Sequence, residues 1–94
     1  MKPSILIVDD EPGVRTSLSG VLRDEGYTVD AVSSGEECLD RLTRGPVDLI
    51  VLDVWLPGLD GLAIVRRIIA EHGGSIDVGD NTPRGTRFTI ELPC

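Results

Sequence analysis

Aromatic side chains are nearly missing from this chain, which has one Trp, one Tyr and one Phe in 94 residues. Hydrophobic residues make up 40%, enough for one core, and that core must be aliphatic, built from Val, Leu and Ile. Positive charge is scarce too. Nine Lys and Arg stand against sixteen Asp and Glu, for a formal net charge of −7. That balance argues against nucleic acid or an anionic membrane as partner, since both need clustered cations. A cation or a basic protein surface fits the surplus better, although much of it is ordinary solubilising charge. Lys2 is the only lysine. Two cysteines, Cys38 and Cys94, make no disulfide framework. Cys38 has apolar neighbours at helical spacing and reads as a buried thiol, whereas Cys94 is terminal. No long apolar run precedes the charges of MKPSILIVDD, so neither a signal peptide nor a membrane span is expected, and the expected location is cytoplasmic.

What is present changes character along the chain. SILIV (4–8) is a short continuous apolar run ended by two aspartates, the pattern of a strand buried on both faces. Val14, Leu18, Val21 and Leu22 then recur at helical spacing between Pro12, suited to a first turn, and Gly26, suited to a stop. YTVDAV (27–32) is a weaker, more polar strand, as at a sheet edge. Ser34 and Glu37 form a capping-box pattern before a helix carrying Cys38, Leu39 and Leu42. DLIVLDV (48–54) is a third strand. The order β-α-β-α-β argues for a parallel sheet.

A third helix runs from about Leu62 to His72 and stops at Gly73 and Gly74. His72 at that end favours the negative helix terminus, a structural place rather than a reactive one. Beyond it, SIDVG and TRFTIEL alternate strictly around the loop DNTPRG, which signals an antiparallel hairpin with one dry face.

Asp9 and Asp10 end the first strand and Asp53 falls near the end of the third. With a strand order of 2-1-3, the topological switch point lies between strands 1 and 3, where open α/β sheets bind ligands. Three carboxylates converging there would repel one another unless a cation joined them. An all-oxygen set suits Mg²⁺, and a carboxylate beside it can attack a phosphoryl group. Acidic residues also follow strands simply as loop or cap residues. That plain reading suffices for Asp10 alone but is weaker for all three together.

ILIVDDEPGVR and DLIVLDVWLPGLDG, with their separation, resemble the receiver domain of two-component response regulators over residues 1 to about 61. The acid pair, the later aspartate and the offsets of Pro57, Gly58 and Gly61 carry the likeness. It implies a flavodoxin-like first half, Asp53 as phosphoacceptor, and Mg²⁺ held by Asp9, Asp10, Asp53 and the backbone carbonyl of Trp55. It also implies a histidine kinase as phosphodonor. A receiver would continue through two more parallel strands, with a Ser or Thr after the fourth and a Lys after the fifth. Neither residue stands at a matching place here, and nothing in the spacing of Arg84 and Arg87 aims them at Asp53.

GLAIVRRIIAEHGGSIDVGDNTPRGTRFTIELP resembles instead the last part of the ATP-binding domain of sensor histidine kinases, over residues 61–93. The upstream nucleotide-binding motifs of that family are missing, so neither ATP binding nor kinase activity is expected. The chain thus reads as a chimera-like hybrid forming one receiver-like domain over 1–94, with a receiver-derived half at 1–61 and a kinase-derived helix and hairpin at 62–94. The expected architecture is three-layered α/β, a mixed five-stranded sheet of order 2-1-3-4-5 with strand 5 antiparallel. Helix 1 is expected on one face and helices 2 and 3 on the other. The hairpin would turn Ile76, Val78, Phe88, Ile90 and Leu92 toward helices 2 and 3. Strand 5 would form an open edge that a second copy could pair with as a homodimer.

Two functions follow from these residues. One is a phosphorelay module that binds Mg²⁺ and takes phosphate on Asp53. The other is an interaction or structural protein, dimeric through that edge, whose acid cluster is vestigial.

Overall fold

The computed structural model describes residues 3–53, 61–80 and 86–92. In chain order the elements are β1 (Ser4–Val8), α1 (Pro12–Asp24), β2 (Thr28–Val32), α2 (Gly35–Leu42), β3 (Leu49–Asp53), α3 (Gly61–His72), β4 (Ser75–Asp80) and β5 (Thr86–Glu91). Pro12 opens α1, where its missing N–H costs nothing. At the other end Gly26 has φ +96°, its N–H donates to the Arg23 carbonyl, and the Tyr27 N–H donates to the Leu22 carbonyl at 3.1 Å. That paired arrangement is a Schellman stop.

The Ser34 hydroxyl accepts from the Glu37 N–H at 3.2 Å and caps α2, as the spacing predicts. The return half of the box is displaced by one residue. Glu37 Oε1 accepts from the N–H of Ser33 at 2.7 Å and from its hydroxyl at 2.8 Å, instead of from the Ser34 N–H. These two donors hold the Glu37 carboxyl below its ordinary range, the backbone one most strongly.

One sheet, of order β2-β1-β3-β5-β4, collects all these strands. β1 pairs in parallel with β2 on one side and β3 on the other. β5 is antiparallel to both β3 and β4, so β4 runs the same way as β3. The order 2-1-3-4-5 is therefore corrected: β5, and not β4, lies beside β3. The register shows why. Ile50, Ile90 and Ile76 form one row across β3, β5 and β4, and Leu52, Phe88 and Val78 form the next. β5 brings Phe88 and Ile90, and Leu92 just beyond, whereas β4 brings only Ile76 and Val78 before Gly79. The more apolar strand takes the interior place. Both edges of β5 are thus occupied, and the open edge expected for it belongs to β4.

The helices divide between the two faces as expected; of the hairpin residues expected to turn toward α2 and α3, Ile90 and Leu92 do so, and the side chains of Ile76, Val78 and Phe88 lie outside the described set. Leu6, Val8, Cys38, Val47, Ile50, Leu52, Ile68 and Ile90 form the larger core cluster under α2 and α3, with Leu92 packed against it. Ile5, Ile7 and Val29 form the smaller one, under Leu18 and Leu22 of α1. Cys38 is buried and free, and burial pushes its thiol up to about 12. On the α1 side, Leu49, Val51 and Thr89 are only half-buried and Glu91 is exposed, because α1 packs over β1 and β2. No described helix is long and apolar enough to cross a membrane.

α3 ends at His72, and Gly73 (φ +75°) and Gly74 (φ +112°) follow it. A Cβ at Gly74 would collide with the backbone carbonyl oxygen of Glu91, so the turn into β4 requires glycine twice over.

Candidate functional site

Val8 of β1 is the register partner of Leu52 of β3. The next residues, Asp9 and Asp53, therefore leave adjacent parallel strands at the same level, where strand spacing is about 4.8 Å. Because β1 sends its chain to β2 on one side and has β3 on the other, that rim is also the switch point of the sheet.

Asp9 is held from three directions. Its N–H donates to the Val32 carbonyl at 3.1 Å, continuing the β1–β2 ladder. Its Oδ1 accepts from the Glu11 N–H at 3.0 Å, at the positive end of α1. Its carbonyl accepts from the Arg15 guanidinium at 2.9 Å. The residue is only 3% exposed, so its carboxylate is fixed in place and largely shielded from water. Asp10, next along, is exposed.

Asp53 is the last residue of β3, and its register partner on β5 is Arg87. Its side chain is outside the described set, as is Trp55 with the rest of 54–60. Among the described residues alone, no three His, Cys, Asp or Glu side chains gather as a metal cluster. The donor chemistry nonetheless fits Mg²⁺: a fixed, nearly buried carboxylate beside an exposed one offers hard oxygens and leaves positions for water and phosphate oxygens.

Sequence reasoning missed Arg15, and it named Arg87 as a source of charge without a way to place it opposite Asp53. Arg15 lies six residues beyond Asp9, on a helix whose rotation about its axis the spacing alone leaves open. Arg87 lies beside Asp53 only because β5 occupies the interior position, which local pattern did not reveal.

Comparison with known proteins agrees with this geometry. The sequence model of the family "Response regulator receiver domain" matches residues 5–84. The receiver likeness thus runs past residue 61, through α3 and β4, which corrects the expected bound of about 61 for the receiver-like half. The transcriptional regulatory protein AfsQ1 of Streptomyces coelicolor is 46% identical over 66 residues, covering 70% of this chain and 29% of that protein. Sporulation initiation phosphotransferase F of Bacillus subtilis is 41% identical over 68 residues, covering 72% of this chain and 55% of that protein. The chain therefore spans only about a third to a half of these relatives' lengths.

The response regulator TrrA of Thermotoga maritima, solved in complex with Mg²⁺ and BeF, superimposes with a TM-score of 0.71 at 42% identity. That match covers 76% of this chain and 61% of TrrA. The same protein has been solved with the histidine kinase ThkA, and that structure also superimposes with a TM-score of 0.71. The chain belongs to the receiver domain family of two-component response regulators.

Proposed function

We propose that this chain is a phosphoacceptor module of a phosphorelay, in which Asp53 takes a phosphoryl group from a histidine kinase. The observation that carries the reading is the β1–β3 register, which brings the Asp53 position beside a buried, three-way-anchored Asp9. In this reading Asp9, Asp10, Asp53 and the Trp55 carbonyl hold Mg²⁺. When bound, the ion neutralises charge on the phosphoryl oxygens and relieves the repulsion among the carboxylates.

The protein's own residues do the rest. A carboxylate oxygen of Asp53 attacks phosphorus, and the bond from phosphorus to the donor breaks with its electron pair staying on the donor. Asp9, held by the Glu11 N–H, keeps its place through the step. TrrA, solved once with the histidine kinase ThkA and once with Mg²⁺ and BeF, supports kinase and Mg²⁺ as partners of this chain by analogy. Residues 1–94 act as one receiver-like unit, and an antiparallel β5 in the interior is where it departs from the family's all-parallel sheet. In the hybrid reading this departure is the mark of a borrowed C-terminal segment, while the receiver family model itself runs to residue 84.

Incubation with acetyl phosphate and Mg²⁺, followed by intact mass, tests the central step. The expected outcome is one added phosphate on the wild-type chain and none on Asp53→Asn. An unlabelled wild type, under conditions that label another receiver, would favour the second reading, a non-catalytic interaction protein that competes for a kinase. The half-buried Leu49 and Val51 on the incompletely covered sheet face are the observation behind that alternative.

A further inference from the structure

The ladder between β3 and β5 sets a basic residue opposite the proposed phosphoacceptor position. Arg87 is the register partner of Asp53. Residues directly opposite on antiparallel strands share one face of the sheet, with Cβ atoms typically about 4.5–5.5 Å apart. On the other flank Arg87 pairs with Gly79, which contributes no side chain to that position. α1 packs over β1 and β2.

The other cations with described partners are committed elsewhere. Arg15 donates to the Asp9 carbonyl and Arg23 to the Val29 carbonyl. Arg41 pairs with Asp30, Arg44 with Asp40, and Arg67 with Glu71. Arg66 belongs to α3, in the layer across the sheet. Lys2, the only lysine, precedes β1, whereas the acids follow it.

We infer that Arg87 supplies the positive charge that stabilises the phosphoryl group during its transfer to Asp53. The inference rests on the phosphoacceptor reading and adds a catalytic residue to it. A guanidinium is always charged and presents a planar fork that matches two phosphoryl oxygens. With acetyl phosphate as donor, an Asp53 oxygen bonds to phosphorus as the bond between phosphorus and the acetyl oxygen breaks, and acetate leaves with the electron pair. Arg87 neither gains nor loses a proton; its charge offsets that of the oxygens in flight. Before transfer the same charge offsets the crowding of Asp9, Asp10 and Asp53.

The test uses the full chain and its Arg87→Gln, Arg87→Lys and Arg84→Gln variants, with acetyl phosphate and Mg²⁺. Phosphate uptake is timed by intact mass, and melting temperature is measured alongside. Arg87→Gln should label at least about ten-fold more slowly than wild type while melting at a similar temperature. Arg87→Lys should recover most of the rate, and Arg84→Gln should label like wild type. The lysine variant keeps the test decisive should the glutamine variant fold poorly, because a role in packing alone gives no charge-dependent rescue. A labelled wild type with an equally fast Arg87→Gln overturns the inference and leaves the phosphoacceptor reading standing. Loss of rate in Arg84→Gln with none in Arg87→Gln also overturns it. A wild type that takes up no phosphate overturns both.

Discussion

The parallel end of the sheet and the hairpin end solve the same problem with different numbers of layers. In β1, Ile5 and Ile7 face α1 while Leu6 and Val8 face α2 and α3, and none of the four is more than 3% exposed. In β5, Ile90 is fully buried, whereas its neighbours Thr89 and Glu91 are half-buried and exposed. A strand apolar on both sides needs helices on both sides; one that alternates needs them on one. The hairpin can therefore extend the sheet beyond α1 without exposing a second apolar surface. Local alternation, more than overall hydrophobicity, determines where a helix can be dispensed with.

Substitutions in the two strands should break or sharpen that contrast. Leu6→Ala and Ile90→Ala should each cost about 2–5 kcal/mol in denaturant titrations, because both side chains lie in one core. Thr89→Ala should stay within about 0.5 kcal/mol. Equal costs at Thr89 and Ile90 would mean that the hairpin has no dry face.

The turn that joins the two ends comes next in size. Gly74→Ala should destabilise the chain by about 1–3 kcal/mol through its positive φ, with the clash against the Glu91 carbonyl adding to that. Ser34→Ala, in the parallel end and far from the hairpin, should cost about 1 kcal/mol by removing a helix cap.

The smallest effect is a pH dependence at that same cap. The two Ser33 donors lower the Glu37 pKa from 4.5, so its contribution is fully present above that unfolded value. It is lost as pH falls through the lower folded value. Chemical denaturation at pH 6 and at pH 3 should show a smaller acid sensitivity in Glu37→Gln than in wild type.

Much of this was legible in the sequence because it is local. The apolar runs, Pro12, Gly26 and the Ser34–Glu37 spacing each determine an element by short-range chemistry. The placing of Asp9 and Asp53 at the ends of neighbouring parallel strands was legible as well, since a β-α-β-α-β order leaves few topologies open. The order of the last two strands was not. Both β4 and β5 alternate, and the choice between them depends on which stacks better against Ile50 and Leu52, a comparison across forty residues of chain. Misplacing β5 also left Arg87 unplaced, since it is the register partner of Asp53 only in the observed order. Arg15 escaped notice for a smaller reason: a helix rotation decided its partner.

The proposed function requires Asp9, Asp10 and Asp53 to act together beside β5, a strand that runs the wrong way for a receiver. The one tryptophan, Trp55, lies two residues from Asp53 and offers a probe of that rim. Mg²⁺ titration followed through its emission should give a saturable quenching, weakened by Asp10→Asn and by Asp53→Asn. An unresponsive wild-type emission, or identical curves for all three proteins, would contradict it.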